Sequence, residues 1–346
     1  MPSRVTMRQI AEAAGVSVMT VSLALRDSSR LAKSTRERIV AVAEEMGFRP
    51  DPALSALVAY RHGSRSRRFK GTLAYINCFD QPNVVQTVPH HAELFQGAKA
   101  GAERLGYKVE EFWLGDPEMI GKAERASQIL TTRGINGLII GPQMRAHAEI
   151  QLNWKEFSTV QLFFSLESQR FHTITNDMYW VIYRAYHELC KLGYKKVGFI
   201  LAAESDERVD NRYSGAYLAV QQKLPARLPR LKPIKGDQLT PAKFKKWMNV
   251  HKPDALINMS PNLPELLSTL RLRIPEDLGL ALPYPMAGFP NAMCASVNRL
   301  GLGEKAAQVL SWLIESNERG IPPLPIAYTV APIWNSGETT RRVGPP

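Results

Sequence analysis

Val5-Thr6-Met7-Arg8-Gln9-Ile10-Ala11-Glu12-Ala13-Ala14-Gly15-Val16-Ser17-Val18-Met19-Thr20-Val21-Ser22 reads as two short helices joined by a tight turn. Thr6 to Gln9 has the spacing of a capping box, in which the threonine and glutamine side chains satisfy each other's backbone N–H groups and open a helix to about Ala14. Gly15 supplies the left-handed residue that a sharp stop requires. Ser17 then caps a second helix, Val18 to Leu25, because a serine oxygen accepts an otherwise unpaired N–H of the first turn. A second capping-box spacing, Ser34-Thr35-Arg36-Glu37, predicts a third helix ending at Met46-Gly47. Ile10, Ala14, Val21, Ile39, Ala43 and Met46 recur at helical spacing and form one small core. That core leaves Val18, Met19, Ser22, Leu23 and Arg26 on the outer face of the second helix.

Around this head the charge is uneven. Residues 1–70 hold 13 Lys/Arg against 6 Asp/Glu, whereas the other 276 hold 31 against 26. A basic head on a nearly neutral body points to a polyanionic partner for the head. Pro50 to Tyr60 gives a fourth, brief helical signal, and Arg61 to Arg68 reads as a flexible basic linker. Beyond it strands alternate with helices, the pattern of a parallel α/β sheet. Thr72–Phe79, Lys108–Trp113, Gly137–Gly141, Thr159–Phe164, Lys196–Leu201, Ala255–Asn258 and Leu278–Leu282 are the expected strands. Ala102–Val109 recurs loosely as His187–Val197, a helix end, a glycine and a strand start, which hints at two related lobes. Any α/β protein also reuses that joint. No apolar run approaches the roughly 20 residues of a membrane span, and Met1 to Ile10 does not read as a secretory signal. Cys78, Cys190 and Cys294 are far apart and odd in number, which argues against a disulfide framework or zinc site and for a reducing cytoplasm.

From Val5 to Ser22, and on through Ser34 to Ile39 and Met46 to Pro50, the sequence closely resembles the head of the lactose/galactose-repressor family. The resemblance implies an all-α helix-turn-helix head over 1–49, a hinge helix and linker over 50–70, and a two-lobed periplasmic-binding-protein-like α/β core over 71–346. It implies that the second helix lies in the major groove. The family's polar readers are missing at Val18, Met19 and Leu23, so readout leans on thymine methyls and on Arg26 or Arg30. The alternative for Val18 and Met19 is helix packing. Thr6, Met7, Ser17, Thr20, Ser22 and Thr35 complete the implied head contacts, the hydroxyls meeting phosphates. In the hinge, Ala53 and Leu57 face the minor groove, with Leu57 as the wedge; Leu54, Leu57 and Val58 also suit packing against a partner's hinge. At about ten residues the hinge is too short to be stable alone, so it is expected to form on DNA.

The looser resemblance of the core implies an effector between the lobes, which are crossed three times, near Gly193, Ser296 and Gly320. Asp177 and Arg212 match family effector contacts and suit a hydroxyl-rich ligand such as a sugar; each also fits a structural ion pair. Asp80, His90 and His91 lie near the end of the first strand. Ser260 and Tyr284 stand where the family has polar or acidic pairs, so the ligand is less polar, larger, or absent. The expected partners are operator DNA, a small effector and a second copy of the chain, with no cofactor, metal or membrane. The absence of leucine heptads in the tail favours a dimer over a tetramer. An enzyme on a doubly wound sheet is the main competitor, but no GxGxxG, P-loop, GxSxG or HExxH supports one. A solute-binding protein would share the core but leaves the basic head unexplained.

Overall fold

The computed structural model describes residues 5–25, 31–46, 48, 69–143, 149–164, 166 and 170–343, and the chain divides into two units, Met1–Arg67 and Arg68–Pro346. Arg26, Arg30, the hinge with Ala53 and Leu57, and the basic linker lie outside the described residues.

In the first unit, α1 (Met7–Ala14) opens on the expected capping box: the Thr6 N–H donates to Gln9 Oε1 at 2.8 Å, and Thr6 Oγ1 accepts the Gln9 N–H at 3.4 Å. Gly15 ends the helix at φ +63°. Ser17 Oγ accepts the Thr20 N–H at 3.1 Å and so caps α2 (Val18–Leu25). The third helix, α3 (Lys33–Glu45), begins ahead of Ser34, with the Ala32 carbonyl accepting the Arg36 N–H at 3.0 Å. The start thus falls within a residue of the one the Ser34–Glu37 spacing predicts, and Leu31 just ahead of it packs onto the head core. Ile10, Val21 and Ile39 are fully buried, a burial that stabilises by roughly 1.5–3 kcal/mol each. Ala14 and Ala43 are buried with them and Met46 is half-buried. Arg38 Nη1 donates to the Ala14 carbonyl at 3.0 Å, satisfying one of the acceptors a helix end leaves open.

The second unit is two doubly wound lobes. Lobe 1 starts with β1 (Gly71–Asn77), α4 (Val84–Thr87), α5 (Pro89–Arg104), β2 (Tyr107–Trp113), α6 (Ala123–Thr132), β3 (Gly137–Ile140), β4 (Ser158–Leu162) and β5 (His172–Asn176). Lobe 2 follows with α7 (Met178–Lys191), β6 (Val197–Leu201), α8 (Ala203–Glu207), α9 (Arg212–Gln222), β7 (Ile234–Lys235), α10 (Pro241–His251), β8 (Ala255–Asn258), α11 (Leu263–Leu270), β9 (Gly279–Leu282) and β10 (Met293–Ser296). The chain then returns to lobe 1 for α12 (Arg299–Glu315) and β11 (Ala327–Val330), and ends in lobe 2 with β12 (Ile333–Asn335). The strand orders are β11-β5-β4-β3-β1-β2 and β12-β10-β9-β8-β6-β7. All pairs are parallel except β10 with β12. Each sheet is covered on both faces, as parallel strands require: one apolar cluster lies on each side of either sheet.

Crossings between the lobes lie at Asn176–Met178, Val297–Asn298 and Ala331–Pro332. The second matches expectation; the first and third do not. Helix α7, ahead of Gly193, already packs Ile182, Ala185 and Leu189 into the lobe 2 core. At Gly320 the chain is still on lobe 1, where its N–H donates to the Phe157 carbonyl. The suggested internal repeat is also corrected. Gly106 and Gly193 are both left-handed residues ending a helix, but they lead into β2 and β6, which hold different places in the two strand orders. The lobes do share a topology; this joint is not what relates them.

Strand β5 escaped sequence reading because it is polar and yet wholly buried. His172 Nδ1 accepts the Ile326 N–H at 3.1 Å, so Nε2 carries the proton and donates to Glu318 Oε1 at 2.7 Å. Gln161 Nε2 donates to Thr173 Oγ1 at 2.7 Å. Paired in this way, the His172 ring and the Thr173 hydroxyl escape the cost of burial without a partner.

Candidate functional sites

The head site is the outer face of α2. Val18 is 46% exposed and Met19 74% exposed, so neither is packing filler in this unit. Leu23 and Thr20 are half-buried, and the Ser22 side chain is outside the described set. The Ser17 and Thr20 hydroxyls sit 2.8 Å apart at the start of α2. Thr6 and Met7 stand exposed at the start of α1, and Thr35 lies half-buried in the first turn of α3. Helix N-termini carry unpaired N–H groups and partial positive charge, so three such ends with hydroxyls suit phosphate contacts.

In the core a cavity of about 630 Å³ lies between the lobes. Helix α5 contributes His90, His91 and Glu93; the ends of β3, β4 and β5 contribute Gln143, Phe163 and Asn176. From lobe 2 come Met178, Ser205, Arg208 and Tyr213, then Met259 and Tyr284 past β8 and β9; Val297 and Arg299 line it at the second crossing. Ligand sites in open α/β sheets gather at these carboxyl ends.

Tyr213 is placed by Asp206, a buried carboxylate that accepts the Tyr213 and Ser214 N–H groups at 2.9 and 3.2 Å. Burial raises the Tyr213 and Tyr284 phenols above their ordinary range, so both are neutral hydrogen-bonding groups. Arg208 Nη2 donates to Ser205 Oγ at 2.9 Å, and its Nη1 reaches across to the Gln143 carbonyl at 3.4 Å. Arg299 pairs with Glu93 at 3.5 Å. His91 packs edge-on against Phe79, with its ring 4.3 Å from that of His90. Burial first, then the positive charge of His90, Arg208 and Arg299, pushes the His91 pKa down to about 3. The ring therefore stays neutral while its counterpart in the unfolded chain gains a proton near pH 6.5. Stability is complete above pH 6.5 and falls as pH drops towards 3, by up to about 1.4 kcal/mol per pH unit. Urea unfolding midpoints between pH 7 and 4 should decline less steeply in His91→Gln; parallel curves would remove His91 from the acid response.

Of the five effector residues expected from sequence, Tyr284 lines the cavity; its hydroxyl donates to the Met259 carbonyl at 3.4 Å. Asp177 instead caps α7, with Oδ1 accepting the Trp180 N–H at 2.8 Å. Arg212 stacks its guanidinium 4.2 Å over the ring of Phe164, across the lobe boundary. Ser260 is buried, its backbone tied to Asn258 by two hydrogen bonds, and its hydroxyl has no partner among the described residues. Asp80 is exposed beyond β1 and off the cavity wall.

Sequence reasoning missed Arg208, Tyr213 and Arg299. One signal was available: Asp210 and Asn211 are both left-handed, at φ 55° and 56°, and Asp and Asn tolerate that region best after glycine. Two such residues in a row turn Arg212 out of the direction set by Arg208.

Burial pushes the Cys78 and Cys190 thiols up to about 12 and about 11, and raises Cys294, which leaves them protonated and poor nucleophiles. Among the described residues no group of three His, Cys, Asp or Glu is placed to hold a metal, and no helix is long and apolar enough to cross a membrane.

A helix-turn-helix unit followed by two doubly wound lobes with a cleft between them defines a class of ligand-responsive DNA-binding proteins. Residues 6–51 match the family model described as bacterial regulatory proteins, lacI family. The chain is 25% identical over 278 residues to the fructose operon regulatory protein of Vibrio cholerae, covering 78% of this chain and 80% of that protein. Among solved structures it is similar to a transcriptional regulator CelR–cellobiose complex, with a TM-score of 0.55 and 16% identity over 97% of this chain and 100% of that one. The lac repressor dimer bound to operator and the anti-inducer ONPF gives a TM-score of 0.55 and 16% identity, over 98% and 100% of the two chains. At this identity the two structures establish the fold.

Proposed function

We propose that the chain is a transcriptional repressor that occupies a near-palindromic operator as a homodimer, and that a small effector between its lobes controls occupancy. The observation that carries the reading is the head: an α2 face left exposed by its own core, flanked by capped helix N-termini. Its readout is weighted to apolar contact at Val18 and Met19, with phosphates fixing the register. The work is done in the cytoplasm, where the DNA is, and involves no catalysis.

The cavity supports the effector half of the reading. Its 630 Å³ lies within the usual span of small-ligand sites, and phenol, amide and guanidinium groups suit a hydroxylated metabolite such as a sugar. Three contacts join the lobes beside it: Arg212 over Phe164, Arg208 to Gln143, and Arg170 to Asp210 at 3.3 Å. A ligand that favours one lobe spacing over another shifts the protein by that difference in affinity and no more. The second reading, an effector-independent repressor with a vestigial cleft, draws on Asp177 and Arg212, which are both committed to structural partners.

Footprinting on the chain's own upstream region, with a panel of sugars and related metabolites titrated in, tests both halves. A protected palindrome whose occupancy one metabolite changes tenfold or more is the expected result. Protection that no metabolite alters favours the vestigial cleft, and no preference for any duplex overturns the regulator.

A further inference from the structure

The positive charge of the core is concentrated in one stretch. Residues 223–252 hold nine Lys/Arg and one Asp/Glu, which leaves 22 against 25 for the rest of residues 71–346. This stretch leaves the end of α9, runs along the edge strand β7 and enters α10. Helix α9 packs Tyr217 and Val220 on one side of the lobe 2 sheet, α10 packs Phe244 on the other, and β7 is the last strand in the order. The segment thus wraps one free sheet edge. All nine cations are exposed: Lys223, Arg227, Arg230, Lys232 and Lys235, then Lys243, Lys245, Lys246 and Lys252.

None of the nine makes a salt bridge among the described residues. Arg230 and Lys243 donate only to backbone carbonyls, of Gln221 and Gln238. The one acid in the segment, Asp237, is turned to the start of α8, where it accepts the Ala203 N–H at 2.6 Å. A single edge-strand lysine guards against sheet-to-sheet pairing; nine cations without carboxylate partners repel one another and exceed that need.

We infer that the β7 edge of lobe 2 is a second, sequence-independent surface for the phosphate backbone of duplex DNA. Seven of the nine are lysines, which meet phosphate as point charges, whereas protein interfaces are depleted in lysine and enriched in aromatics. The aromatic rings in the stretch are taken up by the fold: Phe244 is buried in the lobe 2 core, Trp247 packs against that core and His251 lies against Trp247, so a duplex fits better than a single strand, whose unpaired bases need free rings to stack on. Val250 is the only exposed large apolar side chain there, too little to anchor the segment in a lipid surface. The choice of DNA among polyanions rests on the head reading; the phosphate chemistry does not.

The test is binding of the full chain to a labelled random duplex across a salt series, in wild type and in Lys243→Glu/Lys245→Glu/Lys246→Glu. These side chains are exposed, and Lys→Gln at the same positions gives a milder control for folding. The charge reversal should weaken binding at least about tenfold near 0.1 M salt and lower the slope of log affinity against log salt by about 2–3, since each phosphate contact adds roughly 0.9. The glutamine variant should show a smaller loss in the same direction, and both should keep the ratio of operator to random binding. A wild type without operator preference whose random-duplex binding still depends on these lysines would refute the head reading and uphold this surface. Unchanged affinity and slope in both variants overturn the inference. So does lysine-dependent capture by phosphatidylserine vesicles with duplex binding unaltered.

Discussion

Gly303→Val should lower the thermal midpoint of the core by about 8–16 °C, while Gly215→Ala, also in a helix, should leave it unchanged or raise it. Helices α5 and α12 cross backbone to backbone: a Cβ on Gly303 would overlap the Leu94 carbonyl, and one on Gly97 the Leu300 carbonyl. A Cβ on Gly101 would stand 2.8 Å from Glu304 Cα. Backbone has no rotamer to yield, so the helices must separate and open the lobe 1 core that Leu94, Ala98, Leu302 and Ala306 share. Overpacking ordinarily costs 1–3 kcal/mol. Losing close contact along a whole helix pair raises that to about 4 kcal/mol, and each kcal/mol moves the midpoint of a domain this large by roughly 2–4 °C. At Gly215 nothing lies within 4 Å of the added methyl, and alanine favours a helix over glycine by about 1 kcal/mol. The pair also shapes the proposed effector site: α5 carries His91 and Glu93, which line the cavity, and α12 begins with Arg299. Gly303→Ala should therefore lose effector response before it loses the fold. Equal midpoints for Gly303→Val and wild type would show that the two helices are free to separate.

Met19→Asp should abolish operator binding, by about 100-fold or more, in a protein that folds normally. Met19 has little to lose on folding, being 74% exposed, and it is the second residue of α2. A carboxylate in the first turn of a helix is favoured by the helix dipole, so the variant helix is at least as stable as the original. On the proposed docking what changes is the groove: an apolar contact would be removed and a negative charge set among phosphates. The loss should be steeper on operator than on random duplex, whereas Met19→Gln should bind with an altered base preference. Retained operator affinity in Met19→Asp, by anisotropy at fixed salt, would take Met19 off the DNA face.

The head was legible because its determinants are local. Thr6 with Gln9, Gly15 and Ser17 each set the backbone within four residues, and the caps they form are those the sequence spells. Most of the strands of both lobes were legible as apolar runs; β5 was not, since it is polar along its buried length and His172 finds its partner, Glu318, far along the chain. The cavity was read least well. Asp177 and Arg212 are the right residue types near the right place, but a cap at 2.8 Å claims one and the Phe164 ring the other. Arg208, four residues before Arg212, faces the cavity, and the left-handed pair between them breaks the helical register that would relate the two. The crossing points were misplaced for a similar reason: whether a helix joins the lobe before it or after it is decided by packing across the sheet.

Three passages of one chain join the lobes, at Asn176–Met178, Val297–Asn298 and Ala331–Pro332. Three tethers suppress sliding and independent twisting, so the easy relative motion that remains is rotation about a line through them. Asn176, Met178, Val297 and Arg299 all line the cavity, so a molecule bound there would sit beside the pivot rather than at the jaw tips. A ligand there works like a wedge at a door hinge: it meets small displacements and large forces, and the far edges of the lobes turn its fraction of an ångström into a much longer stroke.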